Sequence, residues 1–372
     1  EAWKEIGRKG FEIEKKWTQS LQKKNKKNKI ELEEFLNNEN FNNLEKIIHD
    51  EKIKYFESKP SMATRQCSSS VIETVTNLMP EIIGGSADLS GSNNTMTSNS
   101  KVISSKNFDG NYIHYGIREH GMAAAMNGLA LYGGLIPYGG TFLIFSDYCK
   151  PSIRLSALMG LKVIYIFSHD SIGLGEDGPT HQPIEQLAGL RSIPNLNVFR
   201  PADINETLEC WEIALKSKSS PSAIVLSRQK LPYINPALSK INKSSFGAYQ
   251  VSITSHDYNL ILIASGSEVE IALETQSKLK DLNIESKVVS MPCQELFDLQ
   301  SNDYKKKLLD ENCIKITIEA GSTSCWGKYL GDNSKSMGID VFGESAPYKE
   351  VYEHFGLTSD KIVLLAQEML RK

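Results

Sequence analysis

From residue 60 onward, short apolar runs of strand length alternate with longer segments of helical periodicity. This alternation constrains the fold most, because strands and helices that alternate along a chain form layered α/β domains with mostly parallel sheets. In the first part of the chain the predicted strands lie at 81–84, 112–115, 161–167 and 222–226. The helical patterns lie at about 66–79, 118–132, 150–159, 183–191 and 204–217.

A second alternating set follows residues 229–256, where glycine, proline and serine interrupt the pattern. Its predicted strands and helices lie near 259–265, 284–290 and 313–319, and near 267–281, 301–310 and 359–371, respectively. Here Ser265-Gly266-Ser267-Glu268 follows a strand and opens a helix, so Ser267 is the expected N-cap. We predict an α/β fold of two layered domains with mostly parallel sheets flanked by helices, preceded by a helical connector. The expected bounds are 1–60 for the connector, 61–235 for the first domain, 236–255 for a linker and 256–372 for the second domain.

Residues 1–60 are rich in charged residues and asparagine and carry only thin apolar stripes, which is typical of a solvated connector. The lysine run Lys23–Lys29 lacks interleaved aromatic residues, so we interpret it as a solvated helix face or loop rather than a nucleic-acid patch. The chain of 372 residues has 42 basic and 45 acidic side chains, a net charge of −3. This balance gives no electrostatic reason to expect nucleic acid or an anionic membrane as the main partner.

The sequence also bears on the cell compartment. No apolar run of about 18 residues survives interruption, so a membrane-spanning helix is not expected. The six cysteines lie far apart with no C-x-x-C spacing, so neither a zinc cage nor a disulfide framework is predicted, and a reducing cytoplasm fits. The chain opens with Glu1, in a pattern typical of a helix interior, so we expect further protein upstream.

Glycine-rich and polar residues are concentrated after the predicted strands of the first domain, where open parallel sheets bind ligands. The clusters are 84–88, 114–120, 139–148 and 169–181. The last contains GLGEDG, which formally matches the dinucleotide fingerprint G-x-G-x-x-G. We reject that interpretation because residues 168–173 intervene after the strand, Pro179 follows the last glycine, and Glu176 and Asp177 would repel a pyrophosphate.

His169, Asp177 and His181 lie in one segment after a hydrophobic strand. A metal site, loop polarity without function, and proton handling with sugar-hydroxyl binding are the three alternatives. We favour the last, because no periodicity fixes the three residues on one helix face as a metal would require. Histidine donates and accepts protons near neutral pH, and a carboxylate on a glycine-rich turn can bind a hydroxyl.

Glu119 begins a predicted helix whose body, GMAAAMNGLALYG, is apolar almost all round and is expected to be buried. A carboxylate at that position either caps the helix or, when desolvated, shares a proton with a ring nitrogen of a bound heterocycle. Phe142, Phe145 and Tyr148 are spaced by three residues and form an aromatic stripe if this piece is helical. Such a stripe either packs in the core or stacks on a flat ring.

Eight motifs, taken in order, resemble transketolase. They are ATR (63–65), GGSADL (84–89), YGIREH (115–120), PYGGTFLIF (137–145), SHDSIGLGEDGPTHQP (168–183), RPAD (200–203), LSRQ (226–229) and CWGKY (325–329). The resemblance runs from roughly residue 61 to residue 372, and residues 1–60 are similar to the connector between the family's first two domains.

Transketolases are homodimers that use thiamine diphosphate to move a two-carbon ketol unit from a ketose phosphate to an aldose phosphate, in the pentose phosphate pathway and the Calvin cycle. The resemblance implies that this chain holds the pyrimidine-binding and C-terminal domains. It lacks the GDG-then-Asn signature of the diphosphate-binding domain, so the ligands of Mg²⁺ or Ca²⁺ are expected in that domain and none in this chain. The implied enzyme is cytoplasmic, binds phosphorylated sugars and is inactive without the diphosphate-binding domain.

The resemblance also implies roles for individual residues. The expected catalytic residues are Glu119, which hydrogen-bonds the aminopyrimidine ring, and His181, which handles protons beside the reacting carbons. The expected cofactor contacts are Glu119, Phe142, Phe145, Tyr148 and Asp88. The expected substrate contacts are Arg65, Ser92, His169 and Arg228 at the phosphate end and sugar, and Asp177 at the donor's C2 hydroxyl.

Three alternatives remain. The chain is the C-terminal subunit of a split transketolase, or a related thiamine diphosphate enzyme such as a deoxyxylulose-phosphate synthase or a dehydrogenase β subunit, or a dimerisation module without turnover. The related enzymes share the IRE-type glutamate but are not expected to carry GEDGPTHQP together with LSRQ.

Overall fold

The computed structural model of the chain describes residues 1–23, 43–235 and 237–371. Its helices are α1 (Ala2–Gln22), α2 (Leu44–Ser58), α3 (Thr64–Thr76), α4 (Ser90–Asn93), α5 (Glu119–Tyr132), α6 (Ser146–Met159), α7 (Gln186–Arg191), α8 (Ile204–Lys216), α9 (Glu268–Asp281), α10 (Gln294–Asp298), α11 (Asn302–Leu308), α12 (Tyr348–His354) and α13 (Ser359–Leu370). Its strands are β1 (Met62–Ala63), β2 (Ile82–Ser86), β3 (Tyr112–His114), β4 (Ile136–Phe142), β5 (Ile164–Ser168), β6 (Asn197–Phe199), β7 (Ser222–Leu226), β8 (Lys230–Leu231), β9 (Tyr249–Ile253), β10 (Leu260–Ala264), β11 (Ser286–Ser290), β12 (Ile314–Ile318) and β13 (Lys335–Met337).

Two layered sheets dominate the structure. The first has six strands in the order β3-β2-β4-β5-β7-β6, all parallel. The second has five strands in the order β13-β12-β10-β11-β9, and only its edge strand β9 runs antiparallel. Helices cover both faces of each sheet, with one apolar core on either side. The predicted α/β fold with mostly parallel sheets is therefore confirmed.

Strand β4 was not predicted, although all seven of its residues are buried. Its pattern is interrupted by Gly139 and Gly140, which give no apolar signal in the sequence. The structure explains both glycines, because a Cβ at Gly139 would lie 2.4 Å from Met126 Sδ and one at Gly140 would lie 2.6 Å from Thr95 Cγ2. Neighbouring segments thus pack directly on the backbone of β4. Strand β9 lies within residues 236–255, the predicted linker.

Helix α5 is buried on one face only. Met122, Ala123 and Met126 pack into the core, whereas Leu131 and Tyr132 are 60% and 82% exposed. The prediction that this apolar helix is buried therefore holds for the sheet-facing side. The opposite side has no other part of the described chain over it, and α6 beside it exposes Leu158 at 70%.

The two described helices of residues 1–60 differ in their packing. No side chain of α1 is buried. Helix α2 buries Leu44 and Ile48 against α3 and α8, and Lys52 donates a buried hydrogen bond of 2.6 Å to Glu209. The predicted lysine run lies outside the described residues except for Lys23. In the described part of the chain, none of the helices is long and apolar enough to cross a bilayer.

Candidate active site

The residues predicted to act on ligands lie along the carboxyl edge of the six-stranded sheet. Asp88 follows β2, Phe142 ends β4, His169 follows β5 and Arg228 follows β7. Arg65 joins them because Thr64, at the start of α3, bonds to Ser227 beyond β7. The chain direction reverses between β2 and β4, and the crevice at such a reversal is where doubly wound sheets bind ligands.

His169 has the most constrained position of these residues. It is buried, and its φ of +62° lies in the left-handed region, which is rare for a residue other than glycine. Its ring stacks on Phe142 with centroids 3.8 Å apart, and its Nδ1 lies 2.9 Å from Ser168 Oγ. Burial, followed by the positive charges of Arg65 and Arg228 and by His181, lowers the pKa of His169 to about 3. The imidazole is therefore neutral at physiological pH and can both donate and accept a hydrogen bond.

Two arginines lie near this imidazole. Arg65 Nη1 donates to the carbonyl oxygen of Ser92 at 2.7 Å, and Arg228 Nη1 donates to that of Leu174 at 3.3 Å. Burial and then the charge of Arg228 lower the pKa of Arg65. Arg65 Nε is buried and has no hydrogen-bond partner among the described residues. Two adjacent guanidiniums with spare donors suit a phosphate group.

The predicted aromatic stripe forms, but not along one helix. Phe142 ends β4, Phe145 ends a 3₁₀ turn, and Tyr148 lies in α6. Their rings stack in sequence, with centroids 5.7 Å and 5.9 Å apart. His181 meets Phe145 edge-on at 5.7 Å, so this stack connects the two predicted histidines. Tyr148, at the far end of the stack, is 65% exposed.

Glu119 is the first residue of α5 and is buried, as predicted. Its side chain accepts no hydrogen bond within the described part of the chain, so the capping alternative has no direct support. It lies close to α6, because burial and then the Glu119 charge raise the pKa of the Cys149 thiol to about 12. Cys149 neighbours Tyr148, so the carboxylate lies on the same side of the site as the aromatic stack.

Asp88 and Asp177 are the predicted residues that the structure connects least. Both are exposed, and Asp88 has a left-handed φ of +62°. Across the described ranges, neither forms a hydrogen bond or ion pair with another predicted site residue. Ser92 contributes its carbonyl oxygen to Arg65 rather than a side-chain contact. The roles assigned to these three residues stay predictions.

The segment 169–181 shows no sign of a dinucleotide or metal site. After Gly178 the next helix, α7, begins only at Gln186, so no helix N-terminus faces the glycine turn. Within the described residues there is no group of three histidine, cysteine, aspartate or glutamate side chains able to hold a metal ion. His181 Nδ1 instead lies 3.0 Å from Thr180 Oγ1.

Other buried polar residues around the site were not singled out from the sequence. Gln182 donates to the carbonyl oxygens of Gly175 and Glu344, both at 2.9 Å, which ties the glycine-rich segment to the second domain. Thr141 Oγ1 and both amide atoms of Asn93 are buried without a partner in the described chain. A signal existed for Asn93, which lies in the polar stretch GSNNT beside Ser92, but nothing local marks Gln182.

Comparison with known proteins agrees with this geometry. The family model for the transketolase pyrimidine-binding domain matches residues 60–233, and that for the transketolase-like C-terminal domain matches residues 247–358. A transketolase of Sinorhizobium medicae is 54% identical over 312 residues, which are 84% of this chain and 45% of that protein. The chain spans about half the length of the curated relatives it matches.

Solved structures give the same result. A transketolase from Pichia stipitis in complex with sedoheptulose 7-phosphate matches with a TM-score of 0.89 at 35% identity, over 98% of this chain and 54% of that one. A split-gene transketolase, described as an inactive β4 tetramer, matches with a TM-score of 0.68 at 26% identity, over 83% of this chain and 99% of that one. The chain therefore belongs to the transketolase family, of which it carries the pyrimidine-binding and C-terminal domains.

Proposed function

We propose that this chain is part of a thiamine-diphosphate-dependent transketolase and becomes catalytic when joined to a diphosphate-binding domain on the same or another chain. The reaction transfers a two-carbon ketol unit from a ketose phosphate to an aldose phosphate, as in the pentose phosphate pathway. One observation carries the proposal. The carboxyl edge of the first sheet brings Arg65, Arg228 and the neutral His169 against an aromatic stack that leads toward Glu119.

The residues at this edge fit the pyrimidine half of thiamine diphosphate. Phe145 is half-buried and Tyr148 exposed, so the stack presents an aromatic surface to a flat ring. Glu119 is a buried carboxylate with free acceptor capacity, and such a group needs a hydrogen-bond donor. Thr141 and Asn93 add buried polar atoms that lack partners in the described chain, near the end of β4.

When bound, thiamine diphosphate supplies the electron sink for cleavage of the carbon–carbon bond beside a carbonyl group. Glu119 holds a proton at a ring nitrogen of the aminopyrimidine, and the aromatic stack orients that ring. Because His181 Nδ1 lies 3.0 Å from Thr180 Oγ1, its Nε2 is left to exchange a proton with a substrate oxygen. Asp177 binds the donor's C2 hydroxyl.

The phosphate end is formed by the arginines. Arg65 and Arg228 bind the phosphate through charge-assisted hydrogen bonds, and Ser92 lies beside them. His169, being neutral, binds a sugar or phosphate oxygen without adding a third positive charge. Asp88 has a cofactor-side role near a subunit contact. The ligands of Mg²⁺ or Ca²⁺ belong to the diphosphate-binding domain.

A second copy of the chain is the expected partner in a cytoplasmic homodimer. The uncovered faces of α5 and α6, together with Ile117, form an exposed apolar surface, and such surfaces mark protein contacts in soluble proteins. Its most exposed members are Ile117 (79%), Tyr132 (82%), Leu158 (70%) and Leu131 (60%). The six cysteines are all free, in keeping with a reducing compartment.

A split-subunit arrangement is the second candidate. It is favoured by one observation, namely that the split-gene transketolase is matched over 99% of its length, so a chain of this extent exists as a separate subunit in that protein. In that arrangement the diphosphate-binding domain is supplied by another chain.

The test is reconstitution. The chain is mixed with a diphosphate-binding domain, thiamine diphosphate and Mg²⁺, and ketol transfer from a ketopentose phosphate to an aldose phosphate is assayed. Transfer that requires both polypeptides supports the proposal. Cofactor binding without any transfer would instead support a dimerisation module and defeat it.

A further inference from the structure

The carboxyl edge of the second sheet holds buried charges that the proposed function does not use. Ser265-Gly266-Ser267-Glu268 follows β10, and Glu319 follows β12. Ser267 occupies the N-cap position of α9, but its side chain makes no capping hydrogen bond, so that part of the prediction is wrong. Its hydroxyl instead donates to Glu268 Oε1 at 2.7 Å and accepts from Arg200 Nη2 at 3.2 Å.

Arg200 enters this cluster from the first domain. It follows β6, is fully buried, and its Nη1 donates to the Ser265 carbonyl oxygen at 2.9 Å and to the Glu268 carboxylate. Its Nε and Nη2 donate to Asp170 Oδ2 at 3.1 and 2.8 Å. One planar guanidinium thus joins Glu268 of the second domain to Asp170 of the first, and we refer to these three residues as the Arg200 bridge.

The backbone at Gly266 is shaped to receive this guanidinium. Gly266 has a φ of +54°, and a Cβ there would lie 2.8 Å from Cγ and 2.9 Å from Nε of Arg200. Its N–H donates to the Arg200 carbonyl oxygen at 3.0 Å. A side chain at position 266 would both strain the backbone and displace the guanidinium.

Asp170 connects the bridge to the active site. It follows His169 directly, whose left-handed backbone has to be held by its surroundings because a residue with a Cβ avoids that conformation. Asp170 Oδ1 also accepts from Ser171 Oγ at 3.2 Å, and Ser171 Oγ accepts from Gly173 N at 3.2 Å. The same carboxylate therefore supports the turn that ends at Leu174, whose carbonyl oxygen receives Arg228.

We propose that the C-terminal domain takes part in the reaction through the Arg200 bridge, which fixes His169 and the following turn in the conformation that meets the substrate. Arg200 and Glu268 are positioning residues, since neither touches the open edge of the first sheet. The contact of His169 with substrate rests on the proposed function, whereas the holding of residues 169–174 does not. The two parts are therefore tested separately.

The first experiment measures amide hydrogen exchange of residues 169–174 in the 372-residue chain without cofactor. Glu268→Gln removes the charge that fixes Arg200, and Arg200→Lys keeps a charge but loses the planar fork. Lys52→Met is the matched control, because it breaks another buried ion pair, Lys52 with Glu209 at 2.6 Å, far from this turn. We expect exchange at 169–174 to accelerate by tenfold or more in the two bridge variants and to stay unchanged in the control.

Two results would overturn the proposal. Either the turn exchanges at the original rate in both bridge variants, or it accelerates equally in Lys52→Met, which would reduce the bridge to general stability. If Arg200→Lys fails to fold, Ser267→Ala removes a single 3.2 Å hydrogen bond to Arg200 and must show the same change at smaller size.

The second experiment uses the reconstituted assembly. Misplacing a binding group by about 1 Å can cost up to about a hundredfold in efficiency. Glu268→Gln is therefore expected to raise KM for the phosphorylated donor on the order of tenfold, with a much smaller change in kcat, whereas Lys52→Met changes neither. Unchanged KM alongside faster exchange would remove the link to the reaction. Absence of transfer in the unsubstituted assembly would defeat the proposed function and leave the bridge to be judged by exchange.

Discussion

The two sheets place polar residues at the same edge, yet only the first leaves that edge open. After β5 and β7 lie His169 and Arg228, and nearby Arg65 and Thr141 retain buried polar atoms without partners in the described chain. After β10 and β12 lie Glu268 and Glu319, and both carboxylates are occupied by arginines of the first domain. Two edges with similar strand topology have thus been put to different uses.

The comparison shows that polar residues at the carboxyl ends of parallel strands do not by themselves indicate a ligand site. What decides is whether another part of the chain satisfies them. Arg191 donates to both oxygens of Glu319 at 2.7 and 2.8 Å. Although burial opposes ionisation, Arg191 and then Arg200 lower the pKa of Glu319 to about 2. The second edge is saturated, and the first still has free donors and acceptors.

The largest expected effect concerns activity at the open edge. Glu119→Gln keeps the shape of the side chain but removes the carboxylate that holds the proton, a function that contributes about 10²–10⁴-fold in rate. We expect ketol transfer in the reconstituted assembly to fall by that factor while the thermal unfolding of the chain is unchanged. Glu185→Gln, at an exposed position, is the control. Near-normal transfer by the Glu119 variant would mean that this edge does not work as proposed.

The next effect concerns stability at the saturated edge. Glu319→Leu leaves Arg191 buried without its carboxylate, and removal of one partner from a buried ion pair costs about 3–5 kcal/mol in free energy of unfolding. Urea unfolding of the chain measures this loss, with Glu119→Gln as the comparison at the open edge. The distinction between the two edges would fail if both variants lost the same free energy.

A smaller effect is expected at the phosphate end. Arg228→Ala removes a charge-assisted hydrogen bond, worth about 1.5–3 kcal/mol, from phosphorylated sugars only. Its kcat/KM should therefore fall more than tenfold for a phosphorylated donor and little for an unphosphorylated one. Lys230→Ala, two residues along the chain and also exposed, should affect neither donor. Equal losses for both donors would place the phosphate elsewhere.

The smallest effect is a difference in pH dependence. The folded chain holds the pKa of His169 near 3, below its ordinary value of 6.5, so acid protonates this residue in the unfolded state first. Its contribution to stability is present above about pH 6.5 and is lost as the pH falls toward 3. Glu319 behaves similarly only below pH 4.5, its ordinary pKa.

Free energies of unfolding measured between pH 7 and pH 5 test this difference. His169→Gln should reduce the loss of stability over that range, whereas His256→Gln, which alters an exposed histidine of the second domain, should not. An acid profile identical in both variants and in the unsubstituted chain would contradict the assignment of a neutral, buried His169.

The fold was largely predictable because most of its elements carry local signals. The predicted strand 222–226 has the bounds of β7, and the helix predicted at 118–132 begins one residue later as α5. Strand β4 escaped because its two glycines remove the apolar pattern, and the pairing of β9 with β11 depends on residues more than thirty positions away. Such contacts leave no periodic trace in the sequence.

The candidate site was predictable to the extent that it follows strand ends. His169 and Arg228 could be placed from the sequence, and the structure brings both near Arg65. Arg200 and Glu268 could not, because their pairing joins residues 68 positions apart across two domains. Ser267 was assigned to a helix cap on local grounds, and a buried guanidinium satisfies it instead.

Gly266 has a consequence for how this chain tolerates mutation. It touches no candidate ligand residue, and its exposed neighbours give no sign of importance, yet any larger residue there collides with Arg200. A saturation scan scored on ketol transfer should therefore rank position 266 among the least permissive of the second domain. Selection for enzymatic output would then act on a backbone atom in a domain that holds no predicted catalytic group.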